Sequence, residues 1–222
     1  GHTCLPRDKL LDSTSKFLRV PPDEIEAGLD ELLSAEELRT RTFDGVEYIY
    51  LPDLLSAEED IAARLGQLST FPTEVPKTLD ADIRVLEMAQ GFEYAPLQKQ
   101  AIKLALSSRV MVLTGGPGTG KTTTVNAILS LYEALYDRVA LCAPTGRAAK
   151  RLSDLTGHAA STIHRLLEVD YSSGNVRFIH NEKNLLKYDV IILDEMSMVD
   201  VKLFQALLAA ARYHCRIIMV GD

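Results

Sequence analysis

The sequence predicts an α/β fold with a parallel sheet covered by helices, and three observations carry that expectation. Apolar runs recur at Val110–Leu113, Val139–Cys142, Val190–Leu193 and Ile217–Val220. Helical segments follow the first three runs, and continuous apolar strands alternating with helices are strands buried on both faces. Directly after the first run stands Gly115-Gly116-Pro117-Gly118-Thr119-Gly120-Lys121-Thr122, which fits G-x-x-x-x-G-K-[ST]. A helix-like stretch, Thr123 to Tyr136, follows it, so the motif has the strand–loop–helix setting of a phosphate-binding loop.

The elements before that sheet are of a different kind. Leu10, Leu11, Phe17 and Leu18 form a helical stripe over Arg7 to Leu18. Val20-Pro21-Pro22-Asp23 breaks that helix and opens the next, Glu24 to Leu33. Leu38–Thr42 and Val46–Leu51 flank Phe43-Asp44-Gly45, a turn between two strands. Two helices and a hairpin over residues 1–51 resemble a small, mainly helical, winged-helix-like module. Its second helix region, Asp23 to Glu37, is strongly acidic. A packing or spacer role therefore fits it better than DNA recognition.

Residues 52–95 read as a helical linker region. Ser56, with Glu59 at the capping-box position, starts a helix through Leu68. Phe71 to Pro76 is a loop, and Asp80 to Gln90 is a further short helix ending at Gly91. Residues 96–222 then form the α/β domain.

Composition sets outer limits. With 222 residues, 46% of them hydrophobic, the chain can bury a sizeable core. No apolar run approaches the roughly 20 residues of a membrane span, and the first residues have no signal-peptide pattern. Cys4, Cys142 and Cys215 are far apart and show no metal spacing; they read as reduced thiols of a cytoplasmic protein. The net charge of −7 hides an asymmetry. Residues 1–95 hold 9 Lys+Arg against 20 Asp+Glu, a balance of −11, and residues 96–222 hold 15 against 11, a balance of +4. A nucleic-acid track belongs to the second part.

The chemistry concentrates at strand ends. Backbone N–H groups of the loop and the start of the following helix face an anion at Gly116, Pro117, Gly118, Thr119, Gly120, Lys121, Thr122 and Thr123. Lys121 supplies a point charge for the β- and γ-phosphates, and Thr122 a hydroxyl for Mg²⁺. Asp194-Glu195 directly follows the third apolar strand. Asp194 is placed to hold hydrated Mg²⁺ opposite Thr122, and Glu195 to accept a proton from an attacking water. The predicted catalytic residues are thus Lys121, Asp194 and Glu195, and the predicted cofactors ATP and Mg²⁺.

Four segments then occur in order with these motifs: Ala143-Pro144-Thr145-Gly146-Arg147-Ala148-Ala149-Lys150-Arg151-Leu152, Ala160-Ser161-Thr162-Ile163-His164-Arg165-Leu166-Leu167, Asp194-Glu195 and Gly221-Asp222. Together they resemble the superfamily 1 DNA helicases of the RecD/TraA type, the Pif1-like 5′→3′ class, and within it the stand-alone RecD-like subgroup with an extra N-terminal region. The resemblance covers residues 96–222 and implies a RecA-like first motor domain. It implies an adenine-reading glutamine at Gln98, with Gln100 as the alternative. It implies single-strand backbone contacts from Pro144, Thr145 and Arg147 and from Ser161, Thr162 and His164, although a locally bonded histidine fits His164 equally well. Met196 to Asp200 would relay nucleotide state to that track. A hairpin near residues 168–180, turning at Ser173-Gly174-Asn175, corresponds to a strand-separating pin or to a plain surface hairpin; Tyr171 and Phe178 offer stacking faces.

The partners implied are single-stranded DNA, duplex junctions and a second motor domain of the same chain, with no membrane; the resemblance leaves nuclease or repair partners open. Because the sequence stops at Gly221-Asp222, the reading expects a fragment lacking arginine fingers worth about 10³–10⁵ in rate. By itself such a fragment would bind nucleotide weakly and hydrolyse it poorly. The alternative is a nucleotide-switched DNA- or protein-binding module with no motor activity. Glu195 weighs against it, since binding alone requires no general base.

Overall fold

The computed structural model describes residues 2–136, 138–170 and 177–221. Contacts divide the chain into two compact units, Gly1–Ala62 with Asp200–Gln205, and Ala63–Val199 with Ala206–Asp222.

Prolines punctuate the first unit. Pro6 ends β1 (Cys4–Pro6) and immediately precedes α1 (Arg7–Leu18); Pro22 opens α2 (Pro22–Ser34). Proline suits a helix start because the N–H it lacks has no helical partner there. β2 (Arg39–Phe43) and β3 (Val46–Tyr50) form the expected hairpin. β1, read from sequence only as a lead into the helix, is a strand paired antiparallel to β3, giving the order β1-β3-β2. Three residues are too few to show an alternation. Arg7, at the start of α1, bonds Asp30 at 2.7 Å and Glu26 and Glu47 at 3.3 Å. One cation thus gathers carboxylates from α2 and β3. Asp23, Glu24 and Glu31 on α2 remain exposed, an outer face that repels phosphate.

α3 (Pro52–Thr70) begins four residues before the expected Ser56. Pro52 starts it, and the Leu54 and Leu55 N–H groups donate to the Leu51 carbonyl at 3.0 and 3.1 Å. Ser56 therefore lies inside the helix and does not cap it.

In the second unit, α4 (Leu79–Gln90) and α5 (Pro96–Ser107) precede the sheet. The strands are β4 (Val110–Thr114), β5 (Val139–Ala143), β6 (Ala160–Thr162), β9 (Val190–Leu193) and β10 (Arg216–Gly221). Their order is β4-β10-β9-β5-β6, all neighbours parallel. The four apolar runs are strands as expected. β6 is the fifth, and its Ala-Ser-Thr composition hides it from a search for apolar runs. α6 (Lys121–Leu135), α7 (Gly146–Thr156) and α8 (Ile163–Leu167) complete its helices, with α9 (Val201–Ala210) divided between the two units at Gln205. α6 starts two residues before the expected Thr123.

Every residue of β9 is buried, as are Arg216 to Val220 of β10. α6 buries Val125, Ala127, Ile128, Leu129, Leu131 and Tyr132. Each large side chain buried this way contributes about 1.5–3 kcal/mol, which fixes the start of α6 relative to the rim. Residues of the expected linker join this core, with Leu79, Ile83 and Tyr94 inside it. Arg216 is 2% exposed. It donates to the carbonyls of Leu106 and Ser108 and to the Tyr136 hydroxyl, tying α5 to the sheet.

The hairpin base is present. β7 (Val169–Asp170) pairs antiparallel with β8 (Arg177–Phe178). Tyr171 and the turn Ser173-Gly174-Asn175 lie outside the described residues.

Candidate nucleotide site

The loop of residues 115–120 leaves the C-terminal end of β4 and enters α6. Gly118 and Gly120 have φ of 74° and 84°, values glycine adopts without steric penalty. The Thr119 hydroxyl donates to the Gly116 carbonyl at 2.9 Å and braces the loop. Lys121 is the first residue of α6, so its N–H and that of Thr122 belong to the unsatisfied helix start, where anions bind. The Lys121 Nζ donates to the carbonyls of Gly115 and Gly116, the latter at 3.1 Å. That contact holds the ammonium over the loop.

The second component comes from β9. Its pairing with β5 continues past the strand, where the Asp194 N–H donates to the Cys142 carbonyl at 2.9 Å. Glu195 then adopts the left-handed conformation, φ 53° and ψ 43°. This costs a non-glycine residue about 1–3 kcal/mol and is concentrated at functional sites. A 3₁₀ turn, Met196–Met198, follows.

β10 alone lies between β4 and β9. At about 4.8 Å per strand the loop and the acids are roughly 10 Å apart along the rim. They meet in one cleft of about 720 Å³. Its walls include Gly116, Pro117, Gly118, Thr119, Gly120, Lys121 and Thr122 from the loop and Asp194 and Glu195 from the strand end. A cavity of this size accommodates a nucleotide.

The remaining predicted residues divide. Gln98 does not line the cleft. Its Oε1 accepts from the Ala95 N–H at 2.9 Å, capping α5, while its Nε2 donates to the Gly120 carbonyl at 3.4 Å. Thr123 is half-buried on α6, off the cleft wall. Thr145 and Arg147, expected beside a DNA strand, line the nucleotide cleft. Pro144, Ser161, Thr162 and His164 do not. The hydroxyls of Thr145 and Thr162 cap α7 and α8, accepting from Ala148 at 3.2 Å and Arg165 at 3.1 Å. The His164 ring packs against Phe178, centroids 5.9 Å apart. Sequence reasoning missed Arg151, Leu155 and Met198 as cleft residues. Positions 147, 151 and 155 are spaced by four on one helix, a signal that was available.

The donor set fits Mg²⁺-nucleotide. Among the described residues no group of three or more His, Cys, Asp or Glu could hold a metal ion. Magnesium requires no such cage, because it takes one or two protein ligands with phosphates and waters. Thr122 and Asp194 share the cleft and meet that need.

Sheet order, loop and acidic strand end together define a phosphate-loop nucleotide-binding domain. Residues 98–222 match the family model described as AAA domain. The chain is 37% identical to the "ATP-dependent RecD2 DNA helicase" of Deinococcus radiodurans, in an alignment covering 100% of this chain and 32% of that protein. It is 45% identical to the "RecBCD enzyme subunit RecD" of Mycolicibacterium smegmatis, covering 60% of this chain and 27% of that one. It is 40% identical to the "ATP-dependent DNA helicase dda" of Enterobacteria phage T4, covering 50% and 26%. The chain therefore belongs to the AAA domain family, in its RecD/RecD2-type superfamily 1 helicase branch. It spans about a third or less of the length of these curated relatives. Among the described residues no helix is long and apolar enough to cross a membrane.

Proposed function

We propose that this chain binds and hydrolyses ATP as part of a DNA helicase that moves 5′→3′ along single-stranded DNA. The observation that carries this reading is the sharing of one cleft by Lys121, Thr122, Asp194 and Glu195. Loop N–H groups and Lys121 hold the β- and γ-phosphates, and Thr122 with Asp194 hold the metal. Bound there by Thr122 and Asp194, Mg²⁺ would supply positive charge against the charge that develops on the phosphates during transfer. Glu195 accepts the proton of the attacking water, a role worth about 10²–10⁴ in rate. Gln98, tied to Gly120, is the adenine-reading candidate, and Thr123 supports the loop from α6.

On this reading the DNA track runs along the rim beyond the acids. β6 is two strands past β9, roughly 10 Å further from the loop. Pro144, Thr145, Arg147, Ser161, Thr162 and His164 are its candidates, and Met196 to Asp200 link it to the acids. Duplex junctions and a second motor domain complete the partner set, in the cytoplasm. Movement follows from alternating grip on the strand, coupled to closure and release around the nucleotide.

ATP turnover by the full-length protein, with and without single-stranded oligothymidylate, tests this. Turnover that rises severalfold with DNA is expected. Turnover indifferent to DNA would favour a nucleotide-switched binding module.

A further inference from the structure

We infer that the first unit positions the general base: by holding the opening turns of α9 it fixes the chain that leaves Glu195, with Asp60 and Gln205 as positioning residues for ATP hydrolysis. This rests on the cleft being a nucleotide site with Glu195 as its base, as proposed above. It goes further by giving the acidic N-terminal part a task in catalysis beyond spacing.

The first observation is that α9 is shared. Its opening half, Asp200–Gln205, belongs to the first unit, and the part from Ala206 onward belongs to the second. In the first unit the Gln205 Nε2 donates to the Asp60 carboxylate of α3 at 2.6 Å. Lys202 stands 3.8 Å from Asp53, an exposed pair of little weight. Leu203 and Phe204 are each 6% exposed, so the opening half also buries apolar surface. In the second unit the continuation of α3 holds the other half, Arg64 donating to the carbonyls of Leu208 and Ala211. α3 is therefore bonded to α9 on both sides of the division.

The second observation is what α9 opens from. Five residues, 195–199, separate Asp194 from Asp200. Asp194 is pinned to the Cys142 carbonyl at 2.9 Å. At the other end the Asp200 carboxylate caps α9, accepting from the Leu203 N–H at 2.8 Å. Between them the N–H groups of Met198 and Val199 close a tight turn onto the carbonyls of Glu195 and Met196 at 3.0 and 3.1 Å. Such a short, internally bonded link has little slack. A displacement at the start of α9 is passed to Glu195.

The third observation is the backbone of Glu195 itself, left-handed at φ 53°. A residue persists in that conformation only where its surroundings over-determine it. β9 supplies one fixed end and α9 the other. A general base acts only within hydrogen-bond reach of its water, and a misplacement of about 1 Å can cost about a hundredfold in rate. The phosphate loop and Lys121 are carried separately, by β4 and α6. The first unit should thus set turnover and leave nucleotide affinity alone.

The test uses the full-length protein with saturating oligothymidylate, measuring kcat for ATP and, separately, binding of a fluorescent ATP analogue with Mg²⁺. Asp60→Ala and Gln205→Ala should each lower kcat by about twofold to tenfold, the worth of one hydrogen bond. Analogue affinity should stay within about twofold. The double variant should fall no further than either single one, because both remove the same bond. Asp60→Asn keeps an acceptor and should restore most of kcat. In a Glu195→Gln background, Asp60→Ala should leave the residual hydrolysis rate within about twofold, since the base through which it acts is already gone. A merely structural bond would lower the urea midpoint without this split. Wild-type kcat in both single variants, or a kcat loss that persists in full in the Glu195→Gln background, would overturn the inference. The two levels separate cleanly. If Glu195→Gln is slow while Asp60→Ala and Gln205→Ala turn over normally, only the role of the first unit fails. If Glu195→Gln hydrolyses ATP at the wild-type rate, the assignment of the base fails and the inference falls with it.

Discussion

The Gln98 side chain reaches 22 positions along the chain to donate its Nε2 to the Gly120 carbonyl at 3.4 Å, so α5 and the phosphate loop are directly joined. A Cβ added at Gly120 would stand 2.5 Å from that nitrogen, on a backbone with φ of 84°. Gly120→Ala should therefore cost about 1–3 kcal/mol in urea denaturation and weaken nucleotide binding. Wild-type stability and affinity in that variant would contradict the tie.

Glu87 is the anchor one step behind Gln98. It accepts from the Tyr94 N–H at 2.7 Å and from Lys99 at 2.9 Å, holding the turn that opens α5. Lys99 and the Tyr94 N–H hold its carboxyl below the ordinary carboxylate range, with Lys99 the larger cause. A depressed carboxylate stabilises above its unfolded pKa, and that contribution is lost as pH falls through the folded value. Glu87→Gln should therefore be less stable than wild type at pH 7, with the gap closing as the pH is lowered through and below the ordinary carboxylate range. Urea midpoints at both pH values measure it.

Arg216 is a structural cation. Arg216→Leu leaves the Leu106 and Ser108 carbonyls without their donor in a buried setting. The expected loss is about 2–5 kcal/mol, read from the urea midpoint of the variant. A neutral substitution would mean that water replaces the guanidinium.

Burial pushes the thiols of Cys142 and Cys215 up to about 12. The raised values favour the folded chain below the ordinary thiol pKa, and the benefit is lost as pH rises toward 12. With thiolate suppressed and access blocked, both should resist a thiol reagent at pH 8 until the chain unfolds. Half-buried Cys4 should label first. Rapid native labelling of Cys142 would contradict the buried sheet.

The legibility of this fold followed side-chain chemistry. Val190–Leu193 and Ile217–Val220 announced buried strands because every position is apolar. The loop and Asp194-Glu195 announced phosphate chemistry because few other tasks need those groups at strand ends. β6 and β1 were hidden, being three residues long with no periodicity to read. The start of α3 was misplaced because Ser56-x-x-Glu59 looks like a cap, while Pro52 is the helix opener. The resemblance pointed Arg147 to DNA and gave Arg151 no role, so their place on the cleft wall was not legible. α7 reaches the cleft because it packs beside α6, a contact that no local pattern announces.

Glu195→Gln in the full-length protein tests the central claim most directly, with ATP binding and single-turnover hydrolysis measured on the same sample. The account predicts nucleotide affinity near wild type and hydrolysis slowed by about 10²–10⁴, so that intact ATP stays bound. Hydrolysis at the wild-type rate would contradict a catalytic site formed by Lys121, Thr122, Asp194 and Glu195.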